Sequence, residues 1–209
     1  MSAHCQDKSC ESVTANTPRY RRVLWAALIV NAAMFFVEIW GSSLASSASL
    51  LADSVDFMGD AANYGISLLV LSMGVTWRAR AAMLKGLSMG AFGLMVLAKA
   101  TWDFFHGTMP EPLTMSLIAL LALVANVTVA VLLYAYREGD ANMRSVWLCT
   151  RNDAIGNVAV MSAAFAVFIT GSNWPDLFVA LGMASLAISS AVSVIRQARR
   201  ELQTKSVAG

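Results

Sequence analysis

Asp53, Asp56, Asp60 and Asn63 stand three, four and three residues apart inside a long apolar stretch. On a helix that spacing draws one stripe. A carboxylate at the centre of a membrane-spanning helix costs about 2.5 to 3.5 kcal/mol even on the lenient insertion scale, so a row of them calls for water, protons or a cation. Asp56 and Asp60 are one turn apart, about 6 Å of rise, and both can reach one ion beside the helix. Cys149 and Asp153 repeat the four-residue interval, and Asn157 continues their face. If the two helices meet, the pairs together supply three carboxylates and one sulfur, a four-coordinate donor set suited to a divalent transition metal. Two readings of Cys149 stand at this point: a ligand, or a small buried apolar side chain among Val146, Trp147 and Leu148. The competing use of the aspartates, capping a helix or pairing with a base, has only Lys99 and Arg151 to draw on within the apolar segments.

Other polar residues fall in apolar surroundings. Asn31 and Glu38 are seven apart on one helical face; Glu38 is a further intramembrane acid that can gate, relay protons or pack a neighbouring helix through a hydrogen bond. Lys99 and Asp103 form an i,i+4 pair expected to neutralise itself. Near the N-terminus, His4, Cys5 and Cys10 are soft or borderline ligands. They form either a weak metal-capture site or a chance cluster.

The elements that must position these groups follow from composition. Of 209 residues, 57% are hydrophobic and 13% charged, and the mean hydropathy is positive, which excludes an ordinary soluble domain. Six stretches are long enough to cross about 30 Å of hydrocarbon: roughly 23–42, 48–74, 83–105, 112–136, 145–170 and 175–195. The expected fold is an all-α integral membrane protein, a six-transmembrane-helix bundle. Residues 1–18 form a polar tail, 19–196 the transport domain, and 197–209 a short C-terminal tail.

Arg19, Arg21 and Arg22 precede the first span; Arg78, Arg80 and Lys85 fall around the second connection, Arg137 and Arg144 around the fourth, and Arg196, Arg199, Arg200 and Lys205 after the sixth. The alternate loops contain no Lys or Arg. By the positive-inside rule both termini are cytoplasmic, as an even number of spans also requires. On that orientation Asp53 lies toward the outer surface, for the exit path or helix packing, and Asn63 lies one turn toward the cytoplasm, where an entering ion passes. The first eighteen residues do not resemble a cleaved signal peptide, so the first span is expected to be retained. With a net charge of +2 and basic residues where topology needs them, nucleic-acid binding is not indicated. Three cysteines, two in a tail and one in a span, do not make a disulfide framework. Gly86, Gly90 and Gly93, with Gly59 and Gly65, allow close helix approach and a homodimer through the spans.

The run Ser49-Leu50-Leu51-Ala52-Asp53-Ser54-Val55-Asp56, followed by Asp60, resembles the second-span motif of the cation diffusion facilitators, exporters of divalent metals in exchange for protons. Asn142-Met143-Arg144-Ser145, leading to Cys149 and Asp153, resembles that family's fifth-span motif, and Asn31, Glu38 and Gly41 its first-span pattern. The resemblance spans about residues 19–200. It implies an intramembrane metal site on Asp56, Asp60, Cys149 and Asp153, with cysteine standing where histidine is usual, and Asp53, Asn63, Asn157, Glu38 and Asn31 as accessory or pathway positions. It also implies a short form, without the cytoplasmic C-terminal domain or the histidine-rich loop of many relatives. The expected function is proton-coupled export of Zn or a related metal such as Cd or Co across a bacterial inner membrane, by a transporter rather than an enzyme. The metal is cargo and no cofactor is bound. The alternatives are a membrane-embedded metal-binding or sensor subunit without turnover, and a carrier of an organic solute.

Overall fold

The computed structural model describes residues 18–69, 75–135 and 141–206, with backbone alone for 75, 76, 78, 141–152, 201 and 204–206. All regular structure among these residues is helical: α1 (Pro18–Ala45), α2 (Ala48–Leu69), α3 (Val75–His106), α4 (Pro112–Tyr134), α5 (Ala141–Thr170) and α6 (Trp174–Ser206). Among the described residues, five of the helices, all but α2, contain a stretch long and apolar enough to cross a membrane.

The exception is the helix that carries the stripe. Asp53, Asp56 and Asp60 fall within its 22 residues, too many charges for a lipid-facing span. Its position resolves the conflict: α2 packs against each of the other five helices, and Ala48 through Val55 are all buried. Carboxylates are tolerable at membrane depth where they face protein rather than lipid. Around α2 the most extensive packing joins α3 to α6, α1 to α2 and α4 to α5.

The outer faces are apolar, the reverse of a soluble bundle. Phe36, Trp40, Phe105, Phe168 and Phe178 are all largely exposed, which suits side chains that meet hydrocarbon. Of the glycines read from the sequence, Gly86 and Gly93 serve close helix approach within the chain itself, while Gly65 has no neighbour within 4 Å of where a Cβ would stand. A Cβ at Gly86 would lie 2.8 Å from Ile195 Cγ1, and one at Gly93 2.9 Å from Ile188 Cγ1, both on α6.

Helix limits differ from the expected spans in one consistent way. α3 starts at Val75 rather than near 83, and α6 continues to Ser206, so most of the segment expected to be a C-terminal tail is helix. Hydropathy marks only the part of a helix immersed in lipid, whereas backbone hydrogen bonding carries on through polar residues beyond it.

At one end of the bundle the connections are short and closely bonded. α1 stops at a turn in which Ser46 is left-handed (φ 52) and Ser47 N–H returns to Ser42 C=O at 3.0 Å, a Schellman-type stop. α3 ends likewise, with Gly107 at φ 63 and Thr108 N–H on Asp103 C=O at 3.2 Å. Glu111 caps α4 by accepting from Leu113 N–H (3.1 Å) and Thr114 N–H (2.6 Å), and Pro112 opens the helix where no N–H is missed. Asn173 ties the α5–α6 connection to this end by donating to the carbonyls of Asp103 (3.3 Å) and Thr108 (3.1 Å).

Candidate metal-binding site

α2 and α5 run antiparallel, and their contact brings the two sequence motifs together. The register pairs the far end of one stripe with the near end of the other: Asp60 sits beside Asp153 within side-chain hydrogen-bonding reach, and Asn157 Nδ2 donates to Asp53 Oδ2 at 2.6 Å. Asp56 lies between, close enough for its carboxylate to feel the charges of Asp53 and Asp60, and Asp153 feels Asp56. Asp60 is buried, Asp56 and Asp153 partly so, and Asp153 Oδ2 has no hydrogen-bond partner among the described residues.

Three of the four expected ligands therefore share one neighbourhood. The fourth position, Cys149, belongs to α5, but its side chain lies outside the described residues, as do His4, Cys5 and Cys10. Among the described residues no three His, Cys, Asp or Glu side chains are gathered as a ready-made metal cage. The aspartates are neighbours, not yet a closed coordination shell.

Around Asp60 the structure adds groups that spacing did not point to. Tyr64 Oη donates to Asp60 Oδ2 at 3.2 Å, one turn further along α2. Lys85 of α3 donates to Asn63 Oδ1, and its charge also acts on Asp60. This corrects the expectation that Lys99 and Arg151 were the only bases available to the stripe. Because α3 begins at Val75, Lys85 is well inside the helix and faces the bundle instead of ending a loop. Lys99 behaves as expected: its ammonium lies 2.6 Å from Asp103 Oδ2 and also reaches Ser46 C=O at 3.4 Å.

A second polar group lies one to two turns toward the N-terminal end of α2. Glu38 of α1 is fully buried and faces Asp53. Asn126 of α4 donates to Asn157 Oδ1 at 2.9 Å, so Asn126, Asn157 and Asp53 form a buried relay across three helices. Asn31 is buried on the same face of α1 as Glu38, and its amide returns to Ala27 C=O at 2.8 Å. Asn126 carried no sequence signal beyond being one polar residue in the most apolar span. Asp176 was missed as well, though an acid in the first turn of a helix is the kind of residue that caps an end.

The chain resembles known proteins over most of its length. A family model described as the cation efflux transmembrane domain matches residues 24–203. The zinc transporter ZitB of Pectobacterium atrosepticum is 25% identical over 197 residues, covering 86% of this chain and 60% of that protein. A cadmium, cobalt and zinc/H(+)-K(+) antiporter of Bacillus subtilis is 21% identical over 190 residues, covering 84% of this chain and 61% of its own length; its counterpart in Bacillus velezensis is 20% identical over the same shares. The chain thus spans about 60% of the length of these relatives.

Proposed function

The chain belongs to the cation efflux family, a multi-pass integral membrane protein of a bacterial inner membrane, and from that premise we propose that it exports a divalent transition metal, Zn foremost and Cd or Co as related cargo, in exchange for protons. The meeting of Asp60 with Asp153 across α2 and α5, with Asp56 alongside, carries this reading. A carboxylate must be deprotonated to ligate a metal, so cation and protons compete for the same oxygens and the ligands themselves couple the two flows. Asp56, Asp60, Asp153 and Cys149 are the proposed ligands, closing on the ion by side-chain rotation. Asn63 and Lys85 line the approach from the cytoplasm, and Asp53, Glu38, Asn31 and Asn157 the outward side. Both termini are assigned to the cytoplasm, because Arg19, Arg21 and Arg22 open α1 while Arg196, Arg199 and Arg200 fall near the end of α6.

Alternating access fits this arrangement, with α2 and α5 moving against their neighbours while the aspartates stay together. The relatives' names support the metals. The test is uptake into proteoliposomes across a Zn, Cd, Co, Ni and Mn panel with internal pH recorded. The parent chain should move metal with an opposing pH change, and Asp60→Ala and Asp153→Ala should abolish both. Unchanged flux in either variant refutes the assignment, and equilibrium binding without flux in the parent chain identifies a binding or sensor subunit instead.

A further inference from the structure

Two carboxylates adjoining the Asp56, Asp60 and Asp153 neighbourhood face each other in the bundle interior, with no basic side chain seen paired to either among the described residues. Glu38 is 0% exposed and Asp53 1%. Neither oxygen of Glu38, nor Oδ1 of Asp53, has a hydrogen-bond partner among the described residues. The ion pair of Lys99 with Asp103 lies elsewhere. Buried polar groups are nearly always satisfied, and an unsatisfied one in a native fold points to a missing partner. The two acids lie within hydrogen-bonding reach of each other, and two facing carboxyl groups with three oxygens lacking any other partner need a positive charge between them, a shared proton or a cation.

The surrounding contacts fix where that partner would sit. Asn157 Nδ2 holds Asp53 Oδ2 at 2.6 Å and is itself held by Asn126 at 2.9 Å. Asp53 is thus held through one oxygen, and its second, Oδ1, has no hydrogen-bond partner among the described residues. Ser54 does not compete, since its hydroxyl is turned back to Leu51 C=O at 2.7 Å. Asp53 lies about 4.5 Å of rise before Asp56 on α2 and about 10 Å before Asp60.

We propose that Glu38 and Asp53 form a second cation site, bridging one divalent ion between α1 and α2 on the outward side of the transport site. Its role as the stop an ion makes on leaving rests on the transport reading above; the site itself rests on Glu38 and Asp53. The donors are oxygens alone, with neither sulfur nor imidazole, so the site holds a borderline dication less tightly than one containing a thiolate. An ion passes outward more readily through sites that release it.

The test uses the full chain in lipid nanodiscs with Cd2+ as probe, counted by equilibrium dialysis and observed by cadmium NMR. The parent chain should take up two equivalents, one of them with the resonance of an all-oxygen ligand set. Glu38→Gln and Asp53→Asn, both isosteric, should each lose that resonance and keep the other, while Glu38→Asp should retain it with weaker binding. Asp60→Asn should do the reverse, keeping the all-oxygen resonance. A count of one in the parent chain that Glu38→Gln leaves unchanged overturns the proposal and means that the two acids share a proton. Two equivalents that survive in Asp60→Asn but fall to one in Glu38→Gln would sustain this site and remove Asp60 from the transport site.

Discussion

Asp176 is the most sharply testable residue in the fold, because its carboxylate caps a helix that begins 128 residues away in sequence. It stands in the first turn of α6 and is buried. It accepts from Ser47 Oγ at 2.6 Å, Ser49 Oγ at 2.6 Å, Ala48 N–H at 2.8 Å and Ser49 N–H at 3.1 Å. Ser47 Oγ in turn accepts from Leu50 N–H at 3.1 Å. The first donors of α2, which a helix cannot satisfy internally, are thus met by another helix. Asp176→Ala strips two buried backbone N–H groups of their acceptor, at about 1 to 3 kcal/mol each. The two hydroxyls lose less, since Ser47 and Ser49 already lie 3.3 Å apart and can bond to each other. A total loss of about 3 kcal/mol is expected, which for a chain of this size lowers the melting temperature by roughly 6 to 12 °C. Asp176→Asn keeps one carbonyl acceptor and should lose about half as much. Melting of the purified protein in detergent, followed by tryptophan fluorescence, gives the shift. A fall of less than about 2 °C for Asp176→Ala would mean that the α2 terminus finds other acceptors, and that Asp176 does not set the height of the stripe.

Three further outcomes follow from the geometry. Gly86→Ala should destabilise the α3–α6 interface by about 1 to 3 kcal/mol, because the new Cβ would meet Ile195 Cγ1 at 2.8 Å and Ala191 C=O at 3.3 Å; Gly90→Ala, whose nearest neighbour is Ala191 Cβ at 3.6 Å, is the control expected to be neutral or better in the same melting assay. Cys149→Ser should shift the order of metal preference in the uptake panel away from Zn and Cd toward harder ions if the thiolate is a ligand, and an unchanged order removes it from the site. At the start of α4, the bonds from Thr114 and Leu113 hold the Glu111 carboxyl below its ordinary 4.5. The stability it adds is present above pH 4.5 and is lost as pH falls through the lowered value. Glu111→Gln should therefore narrow its melting deficit against the parent chain as pH drops from neutral to about 3, and a constant deficit would contradict the cap's dependence on charge.

Much of the candidate site is legible in spacing. Asp56 with Asp60 and Cys149 with Asp153 announce themselves because a four-residue interval puts two side chains on one face of any helix. Long apolar runs likewise announce spans, because nothing else crosses hydrocarbon with its backbone bonded. What the intervals leave open is which residue meets which across the bundle. Lys85 reads as loop charge until α3 proves to begin at Val75, and the Asn157 amide reads as a continuation of the Asp153 face until it is found on Asp53.

The sequence by itself determined that this is a membrane helical bundle, and where its candidate metal ligands stand along two helices, because helical periodicity and the cost of charge in lipid are local properties of the chain. Only the tertiary structure decided that the acid-bearing α2 touches all five other helices. It also decided that Asp60 meets Asp153 while Asp53 turns to Asn157 and Glu38, and that Asp176 caps α2. Those pairings depend on the relative height and rotation of whole helices. Height and rotation are set by contacts such as those of Gly86 and Gly93 with α6, which are summed over the bundle and written in no single interval.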